Sequence, residues 1–163
     1  MNLITDTFNG MAISVEPGHD GVLKESPRNK KEMILNKELF PFLILMAGLM
    51  VVGTIPLFLY FLPQGIEKAR TVAFVSMSLF QMFNIFNMRS LQKSVFNIGL
   101  FSNKFLIGTL GISFALMLMI IYLPWISSIF GFSYLTLKEF MIIALITSSI
   151  LVVGELYKKV RYH

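Results

Sequence analysis

Residues 39–62, LFPFLILMAGLMVVGTIPLFLYFL, carry no charged side chain and no polar face. Coiled as an α-helix at ~1.5 Å per residue, the stretch reaches roughly 36 Å, enough to cross the hydrocarbon core of a bilayer with some tilt. A helix lying in the interface needs a polar face to turn to water, and this segment has none. In lipid every backbone N–H and C=O must be satisfied within the protein, so a lone apolar segment of this length is helical. Gly53 and Pro56 predict a kink that neighbouring helices can tolerate. Three further runs, 71–88, 105–125 and 137–156, are also long and apolar, the first of them shorter and more polar than the rest. The run 105–125 closes on Pro124–Trp125, a combination suited to a membrane interface. Residues 1–13 have the pattern of the last half of a spanning helix and are too short to cross alone. The expected fold class is an all-α membrane protein, a helical transmembrane bundle of four full spans plus a partial N-terminal helix.

Composition agrees. Charged residues make up 14% of the chain, where a soluble domain has about a quarter. Sixteen Phe and eleven Met suit lipid-facing and helix-packing surfaces. With no Cys, disulfides and thiolate metal sites are excluded. The start of the chain lacks a basic region, and Asp6 interrupts its apolar stretch, so it does not read as a signal peptide. The net charge of +5 does not point to nucleic acid, because the basic residues sit in short loops between apolar runs. Lys24, Arg28, Lys30, Lys31, Lys37, Arg89, Lys93, Lys104, Lys158, Lys159 and Arg161 fall on one side, and Lys68, Arg70 and Lys138 on the other. The richer side is expected to be cytoplasmic, placing the 14–38 connection, the 89–104 connection and the C-terminus there.

Polar residues inside the apolar runs carry the chemistry. Asn2, Thr5 and Asp6 share one helix face by their spacing. Their carboxylate, amide and hydroxyl oxygens are what a hard cation such as calcium takes, and an intramembrane Asp is by default a functional-site candidate. The alternative is that Asp6 caps a helix start in the interface. Calcium takes six to eight oxygens, so this cluster alone does not close a site. Gln81, Asn84 and Asn87 recur at three-residue steps, as interhelical packing groups or, for Gln81, as a ligand. Glu155 with Lys158 and Lys159 reads as a local helix pair at an exposed end. No nucleophile–base arrangement, His/Cys metal spacing or Gly-rich phosphate loop is present, so no catalytic residue is assigned, and His19 and His163 read as solvated.

Several longer stretches resemble a known family. NLITDTFNGMAISVEPGHDGVLKESPR resembles the end of the sixth transmembrane helix and the following loop of P-type cation-transporting ATPases. That family typically shows Asn-Leu-x-Thr-Asp, a Glu-Pro pair, an Asp and Pro-Pro-Arg. Asn2, Leu3, Thr5, Asp6, Glu16–Pro17, Asp20 and Pro27–Arg28 match. RTVAFVSMSLFQMFNIFNMRS resembles the eighth helix. SVFNIGLFSNKFLIG and IYLPWISSIFGFSYLTLKEF resemble the loops before and after the ninth. The likeness runs in order over essentially the whole chain.

The resemblance implies the C-terminal membrane region of an ATP-driven pump of calcium type, residing in the cell membrane. By it, Asn2 and Asp6, with Thr5, bind the transported cation, Ca2+, at a site shared with the fourth and fifth helices. The eighth-helix ligand of two-site calcium pumps is a Glu; Gln81 stands there, which removes one negative charge and argues against a second calcium site. Asn9–Gly10 departs from a common Pro-Ala pair at the end of the sixth helix. The Asp-Lys-Thr-Gly-Thr phosphorylation loop and the Thr-Gly-Glu-Ser actuator motif are not in the sequence. The implied partners are therefore the lipid bilayer and the remainder of the pump, namely its first to fifth helices and the cytoplasmic domains that hold ATP and Mg2+. The competing reading is a stand-alone helical membrane protein with a binding or assembly role and no ATP chemistry. A secondary transporter is disfavoured because no paired repeats are present.

Overall fold

The structure, a computed structural model, describes residues 2–16, 39–91 and 93–162, without the side chains of residues 2–6 and 9. Among the described residues there are seven α-helices and no strand. They are α1 (Asn2–Ser14), α2 (Leu39–Phe61), α3 (Ile66–Met88), α4 (Val95–Ile98), α5 (Lys104–Tyr122), α6 (Pro124–Phe130) and α7 (Leu137–Tyr162), with a 3-10 turn at Leu62–Gln64 after α2. Four helical stretches are long and apolar enough to cross a membrane. The chain is an integral membrane protein. Of the 14–38 connection, residues 17–38 lie outside the described residues.

Some helices run beyond the apolar segments that announce them. α3 begins at Ile66, because the Glu67, Lys68 and Arg70 turn continues the helix past the last apolar residue. α7 carries its basic end through to Tyr162. Conversely, α5 stops at Tyr122, and Pro124 opens the separate helix α6 at its first turn, where a missing N–H costs nothing. Thr136 and Glu139 form a reciprocal capping box at the start of α7: the Thr136 N–H donates to Glu139 (2.8 Å) and the Glu139 N–H to Thr136 Oγ1 (3.3 Å).

α3 is the central helix, packing on α2, α7 and α5. Gly53 of α2 lets Phe80, which is fully buried, approach the α2 backbone; a Cβ at Gly53 would lie 2.4 Å from the Phe80 ring. One apolar cluster centres on Val72, Val75, Leu79, Met117 and Ile143, and joins α3 to α5 and α7. A second, of Phe42, Met46, Phe80 and Ile150, closes α2, α3 and α7 together. Outside this group, α1 packs against α5. The outer faces keep large apolar side chains such as Val52, Leu145 and Val160 exposed, as lipid or neighbouring helices require.

Each end of α3 is tied by polar contacts. At its start, Lys68 pairs with Glu139 (2.7 Å) and donates to the Tyr134 carbonyl (2.9 Å), while Thr71 accepts from the Ser133 N–H (2.8 Å). At its far end sit Arg89, Glu16 and Asn103. Lys68 and Arg89 are 21 residues apart, which separates these ties by about 32 Å, the scale of a bilayer core.

Candidate functional site

Asn2, Thr5 and Asp6 all fall on the first two turns of α1, a continuous helix to Ser14. Their side chains are among those outside the described residues, so their shared face follows from helical spacing. Gln81 sits on α3, seven residues before its end, half-buried, and its side chain makes no hydrogen bond to another described residue. The main partner of α1 is α5 rather than α3, and no described hydrogen bond joins α1 to Gln81. Among the described residues no group of three His, Cys, Asp or Glu could hold a metal ion. Of the four expected ligands, Gln81 alone has a described side chain, and the α1 cluster lies on a separate helix.

The other two polar residues of the α3 series behave as packing groups. Asn87 is fully buried and donates to the Ile150 carbonyl of α7 (2.9 Å) and more weakly to Asn84 (3.4 Å). Gly154 provides the space: a Cβ there would fall 2.4 Å from the Asn87 amide carbon. Glu155 departs from its expected exposed position. Its carboxylate accepts from the Val95 N–H (3.1 Å) and from Lys158 (2.9 Å), whose side chain is only 2% exposed. The physical reason is α4, a single turn after α3 whose first N–H, that of Val95, reaches Glu155 near the end of α7.

The cytoplasm-expected end of α1 is held more firmly. Glu16 lies two residues past the helix and its carboxylate contacts Arg89, with Arg89 Nε at 2.9 Å and an ion pair through Nη2. Its second oxygen accepts from Asn103 Nδ2 (2.8 Å), which also donates to the Ala12 carbonyl (2.9 Å). The Asn103 oxygen meanwhile caps α5 by accepting from the Leu106 N–H (2.8 Å).

The family model for the C-terminus of cation-transporting ATPases matches residues 1–160. The chain belongs to this ATPase family. Among its relatives, calcium-transporting ATPase 1 of Bacillus cereus is 36% identical over 97% of this chain and 20% of its own length. Calcium-transporting ATPase 1 of Saccharomyces cerevisiae is 32% identical, covering 97% of this chain and 17% of its own length. Human calcium-transporting ATPase type 2C member 1 is 34% identical, covering 98% and 18%. The chain thus spans about a fifth of the length of the curated relatives it matches. As a cation-transporting ATPase region, it bears out the P-type resemblance and the helical-bundle expectation.

Within this ATPase region, sequence reading passed over the contacts of Glu16, Arg89 and Asn103. Glu16 entered only as half of a Glu-Pro pair, and Arg89 as a topology charge and as part of the eighth-helix resemblance. The three are separated by 73 and 87 positions from Glu16, beyond the reach of any helical period. The available signal was Arg89 itself, an Arg directly following an apolar run, which needs partners when buried.

Proposed function

We propose that this chain serves as the C-terminal membrane region of an ATP-driven calcium pump. In this reading α1 is the end of the sixth membrane helix, and Asn2 and Asp6, with Thr5, are oxygen ligands of the transported Ca2+. The site is completed by helices of the remainder of the pump. Gln81 adds at most a neutral amide oxygen. ATP and Mg2+ act on the cytoplasmic domains of that remainder, where phosphorylation drives the helix movements that open the site alternately to each side. The basic-residue asymmetry supports a cytoplasmic C-terminus and a cytoplasmic Glu16 end of α1, and the membrane of this reading is the cell membrane.

One observation carries the reading: calcium-transporting ATPases align over 97% of this chain, and the cation-transporting ATPase match at residues 1–160 includes the helix on which an Asp, an Asn and a Thr share a face by their spacing. The chemistry agrees. A carboxylate with neighbouring neutral oxygens matches a hard divalent cation, and its charge offsets part of the ion's lost hydration. The test is ATP-driven uptake of radiolabelled calcium into inside-out membrane vesicles containing the full-length pump. Calcium uptake that Asp6→Asn abolishes is expected; uptake of another cation with no calcium accumulation would overturn the assignment.

A further inference from the structure

We propose that Glu16, Arg89 and Asn103 are positioning residues for the ion-binding helix: they fix the end of α1 and thereby set where Asn2 and Asp6 stand. This rests on the reading of Asn2 and Asp6 as ligands. Arg89 has five N–H donors, and all five are used. Nε and Nη2 go to Glu16, Nη1 to the carbonyls of Gly99 (2.8 Å) and Leu100 (3.3 Å), and Nη2 also to Ser102 Oγ. Its side chain is completely buried. The loop after α4, which turns at Gly99 with φ of 89°, wraps the guanidinium with its own carbonyls.

Asn103, 3% exposed, does two jobs with one amide. Its oxygen caps the start of α5, and its NH2 satisfies both Glu16 and the Ala12 carbonyl, one of the last four in α1 that lack a helical partner. The end of one helix and the start of another therefore share a side chain. Ala12 itself is fully buried, so the backbone of α1 is seated and not merely tethered.

Stability alone does not call for this arrangement. Apolar residues of similar volume often hold a core as well as a buried ion pair does. A fully satisfied network differs in admitting one geometry, since any shift strands a buried charge. That geometry matters because α1 is a lever. Asp6 lies ten residues from Glu16, about 15 Å along the axis, so a tilt of roughly 10° at the clamp moves the carboxylate by about 3 Å. Ligand constellations tolerate only about 0.5 Å. The other described support of α1 is its packing on α5, which begins at the same clamp.

The experiment has two readouts on Glu16→Gln and Arg89→Lys. In the cysteine-free chain in lipid nanodiscs, spin labels on Gly10→Cys and Gly111→Cys report the α1–α5 separation; a Cβ at either site meets no other atom within 4 Å. Both variants are expected to broaden that distance distribution. In the full-length pump, each is expected to raise the calcium concentration for half-maximal phosphorylation from ATP by about tenfold, leaving phosphorylation from inorganic phosphate in place. The double variant should be no worse than the poorer single, because both remove one network. A broadened distribution with unchanged calcium dependence makes the contacts purely structural and overturns the proposal; so does an unchanged distribution. Glu16→Gln keeps the side chain's size but turns one of its two accepting oxygens into an NH2 that faces a donor, so it breaks the network without a change of volume and remains decisive should Arg89→Lys fail to fold. Asp6→Asn, assayed alongside, is expected to weaken calcium dependence without moving the labels. Wild-type calcium dependence there would reject the ligand reading, while the label distances still report whether the clamp fixes α1.

Discussion

Asn87 and Gly154 face each other across the α3–α7 contact so closely that a methyl group on Gly154 would fall 2.4 Å from the Asn87 amide carbon. The approach brings the Asn87 NH2 within 2.9 Å of the Ile150 carbonyl and lets two helices meet through a polar side chain. Small residues at such crossings and amides that bond across them are how membrane helices associate when the hydrophobic effect gives no drive.

Gly154→Ala is therefore expected to lower stability by about 1–3 kcal/mol, the range for overpacking a filled site. Asn87→Ala, which removes a bond of a kind averaging about 0.6 kcal/mol between membrane helices, should cost less than the clash does. The two together should be more stable than Gly154→Ala alone, since the smaller side chain makes room for the new methyl group. Thermal unfolding of the four proteins in one detergent checks the cycle, and strict additivity would show that the two positions do not touch in solution.

Glu155 gives a sharper expectation than its sequence context did. As an exposed helix pair it would contribute about 0.3–0.5 kcal/mol. Half-buried and tied to the Val95 N–H of α4, it balances the ammonium of the buried Lys158. Glu155→Leu should destabilise by about 3–5 kcal/mol, the cost of stranding a buried charge, whereas Glu155→Gln keeps an acceptor for the Val95 N–H and should cost less. Adding Lys158→Met to Glu155→Leu should recover most of the loss, because neither charge is then left in the contact. Denaturation of the purified variants measures each step; equal, small effects for both substitutions at Glu155 would restore the exposed-pair view.

Topology is testable because the chain has no Cys. Phe101, 75% exposed, lies between α4 and α5 at the Arg89 end, and Ile129, 73% exposed, lies on α6 beyond the other end of the bundle. An impermeant thiol reagent should label Phe101→Cys only from the cytoplasmic face and Ile129→Cys only from the opposite face. Labelling of both from one face would contradict the assigned orientation.

The fold class was legible in the sequence because membrane spans are written locally. Residues 39–62 declare a helix by length and apolarity, and Pro124 marks where α5 gives way to α6. Helix ends were less so: α3 starts at Ile66 because its first turn is charged, and hydropathy does not see a helix continue into a charged turn. Asn87 could be suspected as interhelical glue, yet the Gly154 that receives it is an unremarked glycine in an apolar run. The clamp was illegible for the same reason in stronger form. Glu16, Arg89 and Asn103 belong to three segments, and only the tertiary fold brings them together. The tie of Glu155 to the Val95 N–H depended on α4, a four-residue turn too short to announce itself.

The central claim is that Asp6 is a direct ligand of transported calcium, and calcium-dependent phosphoenzyme formation in the full-length pump tests it most directly. Asp6→Asn preserves size and one oxygen while removing the charge that offsets the ion's lost hydration. Phosphorylation from ATP is then predicted to need far more calcium or to fail, while phosphorylation from inorganic phosphate, which proceeds with the ion site empty, survives. Wild-type calcium dependence in Asp6→Asn would contradict the claim.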